Sequence, residues 1–316
     1  MLGLGLGLSY RTGSLRPALD LSFLAGSLDS RVTFTRSTAA WIYDGTTLTS
    51  YAINAPRNTT SGLLIEEART NLFLNSAVGV TQACTVTAAA HTLSFYGTGT
   101  ITLTGTSTAG PLVGTGATDR VSLTFTPTAG ALTLTVSGDA RYVNLELGSF
   151  ATSAIVTVGS TVARQLDIAT IGTLTPWFNA TAGTILTEFN PMAPATGTQT
   201  ALSLDDAGAN ERFTVRAASG SLNALAVDGG VVQASIALGA LSAATTYKAA
   251  FAYAVNDFAA SLNGGTVGTD VAGTLPTVTR ITIGSRLLSE SMSGFVRRVR
   301  YYNSRLPNAS LVRITT

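Results

Sequence analysis

In the middle third of this chain, apolar and hydroxyl side chains alternate strictly. The run GTITLTG places Ile101 and Leu103 on one side and Thr100, Thr102 and Thr104 on the other. RVSLTFT does the same with Val121, Leu123 and Phe125, and ALTLTVS with Leu132, Leu134 and Val136. Successive side chains of a strand point to opposite faces, so a period of two predicts half-buried strands and conflicts with an amphipathic helix. TGTGT, STAGP and PTAGA supply the turns between them, which points to an antiparallel sandwich.

After about residue 165 the pattern resumes in longer runs: GTILTEF, ERFTVRA, SLNALAV, VVQASIAL, TYKAAFAYA, DFAASLNGG, RITIGS and GFVRRVRYY. Turn signals such as ASG, DGG and NGG separate them, and they read as a second, larger sandwich. The first 75 residues differ, with LGLGLGL, several arginines and few regular strand patterns. Such a segment is expected to pack on its neighbours or to anchor the chain to an assembly. No heptads or long amphipathic runs suggest a coiled-coil stalk. The predicted class is all-β: an attachment segment over 1–75, a jelly-roll sandwich over 76–165 and a larger sandwich over 166–316.

Composition narrows the function. Only 11% of the residues are charged, Lys248 is the sole lysine, and the net charge is +2, too small to draw nucleic acid electrostatically. One cysteine, Cys84, excludes an intrachain disulfide, and with one histidine, His91, it excludes a zinc site of His and Cys within the chain. No cofactor is expected. MLGLGLGLSY lacks the basic start and cleavage site of a secretory signal, and no apolar run approaches a membrane span. A soluble protein made in a cytoplasm is the expectation, and the sequons at Asn58, Asn179 and Asn308 carry little weight there.

GLLIEEARTNLFLNS sets Glu66 beside Glu67. Adjacent side chains diverge, whereas glycoside hydrolysis needs two carboxylates facing each other across a substrate, roughly 5–10 Å apart. Glu67 and Arg69, two apart, can pair on one face of an extended segment. No E-x-D-x-E cluster occurs, so no catalytic residue is assigned and no enzyme is expected.

RVTFTRSTAAWIYDG, NAPR and GLLIEEARTNLFLNS together resemble the N-terminal module of bacteriophage fibres, spikes and minor structural proteins. HTLSFYGTGTITLTG, RVSLTFTPTAGALTLTVSG and RYVNLELGSFATSAIVTVGSTVARQLD resemble the carbohydrate-binding-module-like jelly roll that follows it. WFNATAGTILTEF and ITIGSRLLSESMSGFVRRVRYYNSRLPNASL are similar to a concanavalin A-like, laminin-G-like sandwich. The resemblance implies a virion protein of head, neck or tail, made in the host cytoplasm and held to other virion proteins by its first segment. It implies a homo-oligomer, with a trimer as the expected form, that binds host-surface polysaccharide. The alternatives are a decoration or cementing protein with no glycan ligand and a polysaccharide depolymerase.

Sugar sites combine an aromatic platform with fixed polar groups. Tyr142, Asn144 and Glu146 share one face of RYVNLEL and are the candidates on the first sandwich. Trp177 and Phe178 are candidates on the second, with core packing as their alternative; Trp41 has the same ambiguity. Asp205 and Asp206, near Asn210 and Glu211, are calcium candidates, though their spacing matches no EF-hand and a hairpin loop is the plainer reading. Alternation sends Arg297 to one face and Arg298 and Arg300 to the other, where they could meet an acidic polysaccharide or a neighbouring subunit.

Overall fold

The computed structural model describes residues 15–316 apart from 25, 45, 194–196 and 288–289. The LGLGLGL run lies outside the described residues. The rest is all-β, arranged as two antiparallel sandwiches with one short helix at the end.

The smaller sandwich holds the alternating runs of the middle third. Leu112–Val113, Thr100–Gly105, Gly130–Ser137 and Gln82–Val86 form a four-stranded sheet. It packs on a three-stranded sheet of Gly116–Phe125, His91–Gly97 and Arg141–Leu147. The alternation decides which side chains meet: Ile101, Leu103, Leu132 and Leu134 face Leu93, Phe95, Val143 and Leu145 in one core. The threonines between them face out. Cys84 belongs to this core, and burial pushes its thiol up to about 11.

The larger sandwich draws its strands from both ends of the chain. One sheet of eight runs from Gly268–Asp270 through Asp257–Leu262, Tyr247–Ala254 and Ala182–Pro191 to Gly294–Tyr302. On the far edge of Gly294–Tyr302, two strands of the first segment lie end to end: Leu19–Ser22 pairs with its second half and Gly62–Ile65 with its first. Arg57–Thr59 follows outside Gly62–Ile65. The facing sheet of seven starts with Thr33–Thr35 and Ile168–Ile171 and continues through Arg280–Ile283, Thr198–Asp205, Arg212–Ala218 and Ser221–Asp228 to Val231–Ala240. Leu19, Leu21, Phe23, Phe34, Leu63 and Ile65 lie in the same core as Phe189, Phe213, Phe251 and Tyr301. The first segment therefore packs on its neighbours by completing both large sheets.

Two details depart from simple alternation. A register shift opposite Glu188 and Phe189 inserts an extra residue at Arg297. Val296, Val299 and Tyr301 consequently face the core while Arg297, Arg298 and Arg300 all project from the outer side, a correction to the predicted split of these arginines. The second is the helix Asn308–Thr315, which starts just after Pro307 and lays Leu311 over Leu186, Ala250 and Tyr302 on the outer face. Eight residues are too few for a clear helical period to stand out.

Burying each large apolar side chain contributes about 1.5–3 kcal/mol, so loss of the first segment removes an amount comparable to the whole stability of a domain, about 5–15 kcal/mol. A fragment of residues 166–316 is expected to show no cooperative thermal transition and to bind a hydrophobic dye, whereas the full chain melts cooperatively. A fragment that melts as sharply as the full chain would contradict this packing.

Candidate functional site

The backbone leaves the strand Gly62–Ile65 and turns toward the smaller sandwich at Glu66, Glu67 and Ala68. This turn separates the adjacent carboxylates completely. Glu66 points inward, with no exposure, into a cluster that holds Arg36, Arg57, Arg164 and Asp167, all at most 1% exposed. Arg57 bridges both acids, with Nη1 2.6 Å from Glu66 Oε2 and Nη2 2.5 Å from Asp167 Oδ2. Arg164 pairs with the same Glu66 oxygen. Arg36 Nη1 lies 3.0 Å from Asp167 Oδ1, and its other N–H groups donate to the carbonyls of Thr38, Ala52 and Ala55. Ser153, on the chain leaving the smaller sandwich, donates its amide and its hydroxyl to Glu66, each at 2.6 Å. Burial alone would raise the Glu66 pKa, but Arg164 and Arg57 outweigh it and hold the carboxyl at about 2. A carboxylate pinned in this way is not a general acid.

Glu67 turns outward and pairs with Arg69, as the two-residue spacing predicts. The Arg69 guanidinium lies over the Phe150 ring at 4.8 Å. Gly148 makes this possible: its φ is +133°, and an added Cβ would collide with the guanidinium. The pair forms one wall of a groove of about 790 Å³ beside the smaller sandwich, lined also by Thr85, Thr87, His91 and Gln165. His91 Nδ1 donates to the Ala89 carbonyl at 2.8 Å, which orients the ring. The groove offers hydroxyl, amide and guanidinium groups beside the apolar Leu72 and Leu147, with His91 buried at 1% exposure beneath them, and Glu67 is the one carboxylate among the described residues of its lining.

The predicted sugar residues are distributed differently. Tyr142, Asn144 and Glu146 lie on the face of the three-stranded sheet that residues 149–157 fold across. Asn144 and Glu146 have no exposure. Asn144 Oδ1 accepts from Ile155 N and Asn71 Nδ2, and Glu146 accepts the amide (2.9 Å) and hydroxyl (2.6 Å) of Thr152. Burial pushes the Glu146 carboxyl up despite Arg120 and Thr152. Both side chains hold down the covering segment, so neither reaches a surface ligand; only Tyr142 is half exposed. A register shift at Arg141 and a left-handed φ of 51° turn Tyr142 into a cluster with Tyr43 and Tyr96, at centroid distances of 5.2 and 6.5 Å.

On the larger sandwich, Trp177 is buried edge-on to Tyr301 and Phe178, and Phe178 packs against the same core. Neither forms an open platform, and Trp41 stays half buried on the strand Ala40–Tyr43, which pairs with Leu48–Tyr51. Asp205 is buried against Arg280 Nε at 2.6 Å, and Asp206 accepts the Gly208 amide. Glu211 accepts the amides of Gly229 and Thr277. These acids brace turns, and among the described residues no three His, Cys, Asp or Glu side chains gather as a metal site. Arg297 meets Glu188 at 2.9 Å, and Arg300 meets Asp20 at 3.0 Å. The groove residues Thr85, Thr87 and His91 were not singled out from sequence, because only the fold brings their strands beside Arg69 and Gln165.

No protein-family model matches the chain, and no curated protein matches it. Among solved structures it is similar to the CBM40 module of the Ruminococcus gnavus IT-sialidase, solved with α2,3-sialyllactose, at TM-score 0.37 and 15% identity over 44% of this chain and 84% of that one. A heptameric SAP-like pentraxin from Limulus polyphemus gives TM-score 0.35 and 16% identity over 46% and 79%. Trypanosoma rangeli sialidase with the inhibitor DANA gives 0.37 and 15% over 46% and 25%. These likenesses span less than half of the chain, and the architecture above stands on its own sheets.

A Glu66 carboxyl held at about 2 instead of 4.5 stabilises the fold above pH 4.5, and that stabilisation is lost as pH falls toward 2. Its size is about 3 kcal/mol. Chemical denaturation followed from pH 6 down to pH 2 is expected to show this loss in the parent protein. In Glu66→Gln, stability at pH 6 is expected to be lower by about 3–5 kcal/mol, with a flatter acid limb. Parallel acid limbs would show that Glu66 does not titrate as described.

Proposed function

We propose that the chain is a structural component of a bacteriophage particle, on head, neck or tail, that binds host-surface polysaccharide without cutting it. The observation that carries the binding half is the junction groove: it is large enough for a few sugar rings, lined by hydrogen-bonding groups, and has a single carboxylate already paired with Arg69. Hydrolysis of a glycosidic bond in the usual manner needs two. Glu66, the only other acid of the EE pair, is sealed against Arg57 and Arg164.

The virion half is supported by the sequence blocks, and the structure gives those blocks a common physical task. Arg36 lies in RVTFTRS, Arg57 in NAPR, Glu66 in GLLIEE, and Arg164 and Asp167 in TVARQLD. They meet in one buried cluster that fastens the first segment to both sandwiches. A rigid body of this kind suits a particle surface, where display in many copies, as in a trimer, turns weak individual sites into firm attachment. In this reading the residues before the smaller sandwich also present the contact to other virion proteins.

The test is to incubate the purified protein with capsular or lipopolysaccharide glycans of the host and measure both retention and glycan length. Retention without shortening is expected, weakened at least tenfold in Gln165→Ala and Thr87→Ala at unchanged melting temperature. Loss of retention in Tyr142→Ala alone would move the site to the tyrosine cluster. Shortened glycans would restore the depolymerase, and absence of both retention and cleavage would favour a cementing role. Absence of the chain from purified virions by mass spectrometry would remove the virion assignment.

A further inference from the structure

The outer face of the seven-stranded sheet carries charge that the protein does not use. On the strand Arg212–Ala218, Phe213, Val215 and Ala217 enter the core, so Arg212, Thr214 and Arg216 share the outer side. The two arginines stand about 13 Å apart along the strand, with Thr214 midway between them. Both are half buried, and neither has a hydrogen-bond or ion-pair partner within 4 Å among the described residues. The carboxylates on this face are already engaged: Asp205 by Arg280 at 2.6 Å, and Glu290 by Arg286 Nε at 2.9 Å and the Thr200 hydroxyl at 3.2 Å.

The floor between the arginines is also unsatisfied. Thr214 and Ser203, neighbours across the Thr198–Asp205 and Arg212–Ala218 pairing, have no exposure, and neither hydroxyl has a partner. Asn223, opposite Arg216 on the next strand, has an unpaired Oδ1. Buried polar groups are nearly always paired, so several orphans on one patch, beside two guanidiniums that feel Glu290 at a distance yet form no ion pair within 4 Å, mark a place where a partner is missing. Desolvation, with Arg286 and Arg216 nearby, pulls the Arg212 pKa down to about 10; it is charged at neutral pH but held at a cost.

We infer that Arg212 and Arg216, above the buried Thr214 and Ser203, form a binding site for the carboxylates of an acidic saccharide chain, one at each guanidinium. The half-buried guanidiniums supply forked donors to carboxylates, while Thr214 and Ser203, with no exposure, lie beneath the site and do not touch the sugar. The ligand class rests on the glycan-binding reading above, while the location rests on this face alone and is separate from the junction groove.

The probe is hexagalacturonate, with its methyl ester, in which the carboxylates are masked, as the control. Calorimetric titration at low salt is expected to show binding of the acid, at least tenfold weaker binding of the ester, and a tenfold loss in Arg212→Gln and in Arg216→Gln. Arg298→Gln, on the opposite sheet, is expected to bind as the parent does. Because the two arginines have no partners to lose, both variants are expected to melt at or above the parent temperature, and hexagalacturonate is expected to raise the melting temperature of the parent but not theirs. Equal binding of acid and ester, unchanged binding in both variants, or no binding by the folded parent overturns the site. Gln165→Ala separates the two readings: if it loses host glycan yet keeps hexagalacturonate, both stand. Host-glycan retention without hexagalacturonate binding sinks this site alone, and the reverse sinks the groove alone.

Discussion

Everything in this structure depends on five charged side chains that have left water together. Removing a carboxylate or guanidinium from solvent is expensive, and the cost is offset only where opposite charges meet in good geometry with their remaining hydrogen-bonding positions filled. Glu66 and Asp167 meet that demand: between them they accept from Arg36, Arg57, Arg164, Ser153 and the Glu66 amide. The Asp167 amide donates back to the Glu66 carbonyl at 3.0 Å, so the two acids also fix each other's backbone. The contributors come from the first segment, the chain leaving the smaller sandwich and the entry to the larger one. Their pairing sets the angle at which Glu67 and Arg69 emerge, and so shapes the groove.

The cluster also accounts for the sequence blocks quoted at the outset. RVTFTRS, NAPR, GLLIEEAR and TVARQLD are far apart in the chain, yet each contributes a charge to the same point. A pattern that could be taken for a pair of catalytic acids is a fastening. The chemistry that distinguishes the two is solvent: Glu66 has none, and its pKa is held far below the range useful to a general acid.

The sandwiches are legible because period-two alternation over six or more residues leaves few other folds, and Leu103, Leu132 and Leu134 fall where that pattern puts them. The strands of the first segment, such as Thr33–Thr35 and Arg57–Thr59, are three residues long, too short for alternation to register. Asn144 and Glu146 were placed on the right face of their strand, but nothing local announces that residues 149–157 will cover that face. Arg297 was assigned by alternation, which one inserted residue reverses. Nothing in ERFTVRA singles out Arg212 and Arg216, because that they lack an ion pair depends on where Asp205 and Glu290 spend their charge.

If the buried cluster welds both sandwiches into one body, they must unfold together. Scanning calorimetry of the full chain is the most direct measurement: a single transition is expected, with calorimetric and van't Hoff enthalpies equal, separating into two transitions in Asp167→Asn. Two independent transitions in the parent protein, or a single unchanged transition in Asp167→Asn, would contradict the account.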